Sequence, residues 1–215
     1  MSKVLVTGFE PFGGDRTNAA WEAVKRLSDF KPIGAEITVM QIPTVFGRSV
    51  EALKQAIRDH RPDVVICIGQ ASGRKEITPE RVAINIDDAR IPDNDGQSPI
   101  DEPIVPEGPA AYWSTLPIKA VVREMRASGI AAAVSNSAGT FVCNHVFYGL
   151  AHLIATECPR MRGGFIHVPL IPEQAEAGRD LPNMPLESIV RGLAIAIETT
   201  VNVERDIAET GGREC

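Results

Sequence analysis

Two side chains in this sequence, a cysteine and a histidine, occupy places suited to a nucleophile and its base. Cys143 follows a small apolar stretch at 131–134 and a turn at Gly139-Thr140, in which Thr140 is the expected N-cap of a helix running to Glu157. The free N–H groups and positive dipole end of a helix N-terminus favour a thiolate. This context predicts an activated cysteine, although free cysteines are also common core residues.

The other three cysteines lack this setting. Cys67 lies in an apolar strand and is expected in the core, whereas Cys158 stands at a helix end before Pro159. Cys215 is terminal, and we expect it to be exposed, able to form an intermolecular disulfide, and replaceable by serine without loss of activity. The four spacings match neither a metal motif nor a dense disulfide framework.

The histidine best placed to act as base is His167. It lies late in an apolar segment that ends at Pro169, and α/β proteins place their sites at such strand ends. His145 is only two residues from Cys143 on the same helix, so the two side chains would not face each other. His60 ends an exposed helix, and His152 lies on the apolar part of its helix, where it is expected to be packed. A strand histidine is usually a core residue, but only His167 has a geometric route to Cys143.

A third group should orient the imidazole and stabilise its charged form. Composition and spacing leave this carboxylate open among five candidates: Glu80, Asp87, Asp88, Asp93 and Asp95. Glu80-Arg81 could equally be a surface ion pair.

Apolar strands alternate with amphipathic helices along almost the whole chain. The strands are predicted at 3–9, 37–42, 63–69, 81–86, 131–134 and 164–170, and the helices after Asn18, from Phe46, around 118–125, from Phe141 and over 186–197. Residues 87–109, rich in Asp, Pro and Gly, predict a long loop. The alternation predicts an α/β fold: a single-domain three-layer α/β/α sandwich with a mainly parallel, mixed central sheet, spanning 1–215 with a frayed tail at 211–215.

Charge and hydropathy exclude several classes of function. The net charge of −6 and the pI near 5.3 argue against binding to nucleic acid or to an anionic membrane. The first residues do not resemble a signal peptide, and no segment approaches a membrane span. With few cysteines, the chain is therefore expected in a reducing cytoplasm.

The glycine-containing loop at 7–14 follows the first strand, where a nucleotide-binding turn would lie. It matches neither G-x-G-x-x-G nor the P-loop ending. Its aromatic residues, Phe9 and Phe12, favour an apolar ligand wall over a phosphate cradle. The sequence also lacks His-Glu-x-x-His and other metal-binding patterns.

Several long motifs, in order, are similar to one known family. They are residues 6–14 (VTGFEPFGG), 69–71 (GQA), 80–86 (ERVAINI), 135–145 (SNSAGTFVCNH) and 165–169 (FIHVP). On these motifs the chain resembles, over nearly its whole length, the pyroglutamyl peptidase I family of cysteine peptidases.

This resemblance implies a triad of Glu80, Cys143 and His167, and it selects the acid that spacing left open. It implies removal of an N-terminal pyroglutamyl residue from peptides through a thioester, with no metal or cofactor, and assembly as a homotetramer. Arg90 would help to stabilise the oxyanion, and the backbone of Gln70 would bind the lactam. The implied pocket walls are Phe9, Phe12, Ile91, Phe141 and Val142, with Thr44 as a further lining residue.

Two other classes of function compete with this interpretation. A non-catalytic protein that binds a small ligand would explain the aromatic loop without an activated thiol. A phosphorylase-like transferase could use a similar sandwich, but the missing phosphate loop counts against it. Fold alone does not separate these classes.

Overall fold

The fold consists of a central sheet with helices on its two faces. The computed structural model describes residues 1–175 and 181–212. The strands are β1 (Ser2–Phe9), β2 (Ala35–Ile42), β3 (Val64–Gln70), β4 (Thr78–Pro79), β5 (Val82–Ile84), β6 (Ala111–Trp113) and β7 (Arg162–Val168). The helices are α1 (Ala19–Arg26), α2 (Arg48–His60), α3 (Ile118–Ala127), α4 (Val142–Thr156), α5 (Pro172–Ala175) and α6 (Leu186–Asn202).

The main sheet has the strand order β2-β1-β3-β7-β4. The first four strands are parallel, and β4 runs antiparallel to β7. The predicted strand at 131–134 is an extended segment that forms only parallel bridges, Ile77 to Ala132 and Glu80 to Ser135. The predicted strand at 81–86 is shorter than expected and pairs with β6 in a separate antiparallel sheet, not in the main one.

Side-chain alternation along the strands divides the core into two layers. Val4 and Ile66 pack on one face with residues of α1, α3 and α6, whereas Leu5 and Val65 pack on the other with residues of α2 and α4. Because the central parallel strands are covered on both faces, they are apolar throughout. The predicted three-layer α/β/α sandwich with a mixed, mainly parallel sheet is confirmed.

Helix ends follow local signals. Asn18 caps α1, since its side-chain oxygen accepts the N–H of Ala20, as predicted. Arg61 ends α2 in a left-handed conformation, directly before Pro62. Among the described residues, no helix is long and apolar enough to cross a membrane. Cys215 and the end of the tail lie outside the described residues, so the predictions made for them stay predictions.

The segment 87–109 contains no regular helix or strand, as predicted. Asp87 pairs with Glu102 in an isolated antiparallel bridge that closes much of the segment into a loop. The loop places Asp88, Arg90 and Ile91 beside the N-terminus of α4, where they line a cavity.

Candidate active site

Cys143 is the second residue of α4, at the end of the helix where the first N–H groups have no intrahelical partner. The predicted N-cap, Thr140, is wrong: Phe141 is the N-cap residue, and the Thr140 hydroxyl donates to the Asp88 carbonyl at 2.8 Å. No side chain of the described residues caps this helix. The N–H groups beside the thiol are therefore left for a ligand.

The register of β7 directs His167 toward that thiol. Phe165 and His167 are two residues apart and so point to the same face, and their ring centroids lie 4.9 Å apart. Phe165 also packs on Phe147 of α4, with ring centroids 6.1 Å apart. His167 thus lies on the face of the sheet that α4 covers, and it lines the same cavity as Cys143.

Gly69 of β3 makes room for the thiol. It pairs directly with His167 across the parallel ladder. A methyl group at this position would lie 2.9 Å from Cys143 Sγ and 2.7 Å from the Phe165 ring. The absence of a side chain at Gly69 therefore allows the thiol to lie directly against the strand.

The carboxylate comes directly after the short strand β4. Thr78 lies opposite His167 in the antiparallel register, and Glu80, two residues further on, donates its N–H to the Phe165 carbonyl. Glu80 is fully buried, and its Oε1 lies 2.8 Å from His167 Nδ1. Because Nδ1 is bound to Glu80, Nε2 is the ring nitrogen left for chemistry in the cavity.

Burial shifts the pKa of each member of the pair toward its neutral form. It raises the pKa of the Cys143 thiol to about 12, with the negative charge of Glu80 acting in the same direction. Burial also lowers the pKa of His167, against the opposing effect of its bond to Glu80. Both directions favour a neutral thiol beside a neutral imidazole, not the thiolate that the helix N-terminus predicted. The thiol therefore needs a base when it reacts.

A cavity of about 540 Å³ opens above the pair, a size usual for small-molecule sites. Its lining includes Cys143, His167 and five of the predicted substrate residues, which are Phe12, Gln70, Arg90, Ile91 and Phe141. The ring of Phe141 lies 6.0 Å from that of Phe12 and meets the ring of Phe46 edge-on at 5.4 Å. One wall of the cavity is therefore aromatic, and the charged residues of the lining are Asp15, Asp88 and Arg90.

The other three predicted pocket residues lie behind the cavity surface. Phe9 is 2% exposed and packs on Phe165, with ring centroids 6.1 Å apart. Thr44 is buried and its hydroxyl donates to the Glu10 carbonyl, while Val142 points into the α4 core. Phe9 and Val142 are held there by hydrophobic burial and Thr44 by its hydrogen bond, so the structure does not place them on the lining.

Gln70 reaches the cavity at the end of β3. Its side-chain Oε1 accepts the Ala19 N–H at 2.7 Å and a Gln174 N–H at 2.8 Å. β3 pairs with β1 only as far as Cys67, so Gln70 lies beyond the end of that pairing. With its side chain held by these bonds, its backbone is the part suited to contact a ligand.

The remaining candidate acids have other partners. Asp87 Oδ2 lies 2.7 Å from Nδ1 of His145, so this candidate acid pairs with a histidine other than His167. His145 Nε2 in turn accepts the Gly47 N–H at 2.9 Å. Asp93 accepts the N–H of Phe46, Asp95 pairs with Arg48, and Asp88 accepts the Thr140 hydroxyl through its carbonyl. Of the five candidate acids, only Glu80 has a hydrogen bond to His167.

Sequence reasoning missed two supports of the site. Asn144 is fully buried and clamps β5 to α4, since its amide exchanges hydrogen bonds with the backbone of Ile84 and donates to the Ile86 carbonyl. Arg74 lies 2.8 Å from Glu80 Oε1 and also bonds the Thr78 hydroxyl. A buried asparagine beside the candidate nucleophile could have been noticed, but the spacing of Arg74 carries no signal.

Three groups of this site can together carry out acyl transfer. They are a thiol at an uncapped helix N-terminus, an imidazole in the same cavity and a buried carboxylate behind that imidazole. These groups define the class of thiol-dependent hydrolases on an α/β/α scaffold.

Comparisons with known proteins identify the family. The profile described as "Pyroglutamyl peptidase" matches residues 2–203. The chain is 60% identical over 210 residues to the pyrrolidone-carboxylate peptidase of Bacillus licheniformis, covering 98% of this chain and 97% of that protein. It is 55% identical over 213 residues to the enzyme of the same name from Brevibacillus brevis, covering 99% of each.

Solved structures agree. The pyroglutamyl peptidase I of Bacillus amyloliquefaciens superposes with a TM-score of 0.94 at 53% identity, covering 96% of this chain and all of that one. The pyrrolidone carboxyl peptidase of Thermococcus litoralis gives a TM-score of 0.93 at 38% identity, covering 98% and 99%. The chain belongs to the pyroglutamyl peptidase family, and the prediction that it is a peptidase of this family is confirmed.

Proposed function

We propose that this protein removes an N-terminal pyroglutamyl residue from peptides through a thioester on Cys143, with His167 as base and acid and Glu80 orienting the imidazole. The observation that carries the proposal is the cavity that Cys143 and His167 both line, with Glu80 bonded to the imidazole from behind. The full-length similarity to named pyrrolidone-carboxylate peptidases supports the same substrate class.

Acylation begins from the neutral pair. His167 Nε2 takes the proton of Cys143 as Sγ attacks the pyroglutamyl carbonyl carbon. The carbonyl oxygen becomes an oxyanion that the N–H groups at the start of α4 and the Arg90 guanidinium stabilise. When the C–N bond breaks, His167 gives its proton to the leaving amine, and the pyroglutamyl group remains on sulfur as a thioester.

Deacylation reverses the roles. His167 takes a proton from water, and the resulting hydroxide attacks the thioester carbonyl. The C–S bond breaks, the sulfur regains the proton from His167, and free pyroglutamate leaves. Throughout, Glu80 holds Nδ1–H and so keeps Nε2 as the nitrogen that exchanges protons.

The cavity suits a neutral lactam ring. A pyroglutamyl N-terminus carries no ammonium group, so it needs no carboxylate to bind it. Phe12, Ile91 and Phe141 provide apolar contact, and the backbone of Gln70 supplies hydrogen bonds to the lactam. Phe9 and Val142 lie in the core behind the cavity, and the Thr44 hydroxyl donates to the Glu10 carbonyl in the loop after β1.

Two properties of the whole protein belong to the same proposal. We propose that the chain assembles as a homotetramer and acts in the cytoplasm on peptide substrates, as the family resemblance implies. Size-exclusion chromatography with light scattering tests the first, and cell fractionation tests the second. A monomer at working concentration would contradict the assembly.

The proposed specificity is tested with fluorogenic amides of pyroglutamate, proline and glutamine. We expect cleavage of the pyroglutamyl amide alone, and loss of that cleavage in Cys143→Ala. Cys67→Ala is the matched control, because Cys67 is fully buried and outside the cavity lining. Equal cleavage of all three amides, or full activity in Cys143→Ala, would overturn the proposal.

A further inference from the structure

The buried carboxylate of Glu80 has two cationic or potentially cationic neighbours, not one. His167 Nδ1 and Arg74 Nη1 each lie 2.8 Å from its Oε1. Among the described residues, its second oxygen has no hydrogen-bond partner, although the side chain is fully buried. A buried charge with one oxygen unsatisfied is costly unless it is strongly paired.

Three contacts hold the Arg74 side chain in this position. Besides Glu80, its guanidinium donates to the Thr78 hydroxyl and, at 3.1 Å, to the Ser137 carbonyl. Thr78 lies opposite His167 in the β4–β7 register, and Ser137 belongs to the segment that leads to α4. The guanidinium therefore links β4 and the acid that follows it to the loop that precedes Cys143.

We propose that Arg74 is a positioning residue that acts through Glu80: it holds the carboxylate against the imidazole and balances its charge, so that the imidazole rests neutral and able to act as base. This inference rests on the proposed function. An unbalanced Glu80 would favour an imidazolium, which could not take the proton of Cys143. A guanidinium on the same oxygen removes that bias while leaving the orienting hydrogen bond in place.

Electrostatics around the imidazole agree with this role. The charged or titratable groups that act on His167 are Glu80 from beyond β4 and Arg74 from the loop after β3, while Cys143 faces it from α4. The positive charge of Arg74 lowers the pKa of His167 and also that of Cys143. Removing it should raise the pKa of both groups.

The test compares Arg74→Met with the wild type, using Arg81→Met as the control. Arg81 is matched because its guanidinium bonds Asn136, in the same loop, and not the Glu80 carboxylate. His167 is titrated by ¹⁵N NMR of the imidazole, a measurement that needs no substrate. We expect its pKa to rise in Arg74→Met, because a positive charge that lowers it is removed, and to stay unchanged in Arg81→Met. Turnover of the pyroglutamyl amide should fall on the order of 10-fold in Arg74→Met only.

Two further variants separate a positioning role from a folding defect. Arg74→Lys keeps the charge, so the His167 pKa should stay near that of the wild type even where turnover is reduced. In Glu80→Gln, adding Arg74→Met should change turnover little, because the proposed route passes through Glu80. An unchanged His167 pKa in Arg74→Met, an equal effect of Arg81→Met, or fully additive losses would overturn the inference.

The NMR titration also separates this inference from the proposed function. If the protein failed to cleave pyroglutamyl amides but Arg74→Met raised the pKa of His167, the proposed function would be wrong and the proposed role of Arg74 would be supported. If the amides were cleaved and the pKa of His167 did not change in Arg74→Met, the proposed function would be supported and the proposed role of Arg74 would be wrong.

Discussion

At the scale of single residues, the site depends on Gly69, which has no side chain. Gly69 stands directly across from His167, and the space that a Cβ would take is filled by the Phe165 ring and the Cys143 thiol. The motif Gly69-Gln70-Ala71 was one of the marks of family resemblance, and the structure supplies a physical reason for its glycine.

Gly69→Ala is therefore predicted to damage both stability and activity. The added methyl group must push the thiol or the ring aside, at a cost of about 1–3 kcal/mol in the free energy of unfolding. Urea denaturation and kcat/KM on the pyroglutamyl amide measure the two effects. Gly211→Ala is the control, because a Cβ there comes no closer than 3.4 Å to any atom. A Gly69→Ala protein as stable and active as the control would show that the thiol does not need this space.

A second prediction at this scale concerns acid pH. Burial lowers the pKa of His167 from 6.5, so the imidazole stays neutral, and able to act as base, below that pH. The acidic limb of kcat/KM should therefore centre below pH 6.5. A limb centred above pH 6.5 would indicate that the bond to Glu80 outweighs burial.

The same lowered pKa affects stability. The unfolded chain binds a proton at His167 more readily than the folded one. Its contribution to stability is thus present above pH 6.5 and is lost as the pH falls toward the folded-state value. The free energy of unfolding, measured by urea titration from pH 7.5 downward, should fall more steeply in the wild type than in His167→Gln. Parallel curves would contradict this sign.

At the scale of elements, a second histidine–carboxylate pair supports the wall of the cavity. His145 on α4 joins Asp87, at the start of the long loop, to the N–H of Gly47, just before α2. The neighbouring Phe46 N–H is held by Asp93, and the Phe46 ring lies edge-on against Phe141. These bonds keep three separate segments together at the aromatic wall.

We predict that His145→Phe weakens substrate binding more than it slows chemistry. The ring shape is kept, but the bonds to Asp87 and Gly47 are lost, which leaves the wall less firmly held. KM should rise on the order of 10-fold, the equivalent of one or two buried hydrogen bonds, while kcat changes less. His152→Phe is the control, since His152 bonds the Tyr112 hydroxyl and does not line the cavity. A fall in kcat at constant KM would contradict a role confined to the wall.

At the scale of the whole molecule, alternating apolar strands and amphipathic helices were sufficient to predict the three-layer sandwich and most of its elements. Periodicity could not reveal that β4 is only two residues long and runs antiparallel, because that strand is specified by its pairing with β7. Nor could it show that 131–134 forms only bridges at the edge of the sheet.

Less of the candidate site than of the fold was predictable from the residues alone. The approach of His167 to the α4 face follows from strand alternation, so sequence reasoning could reach it. The choice of Glu80 came only from family resemblance, since five carboxylates fitted the spacing equally well. The helix signal that favours a thiolate gives no measure of burial, which acts in the opposite direction on the pKa of Cys143. Arg74 was missed because its contacts depend on the tertiary fold.

The central claim, a thioester on Cys143, is tested most directly by acid-quenching the enzyme during turnover of a pyroglutamyl peptide and mapping the modified peptide by mass spectrometry. We predict a pyroglutamyl adduct on the peptide that contains Cys143, present in Cys67→Ala and absent from Cys143→Ala. An adduct on another residue, or undiminished turnover by Cys143→Ala, would contradict the account.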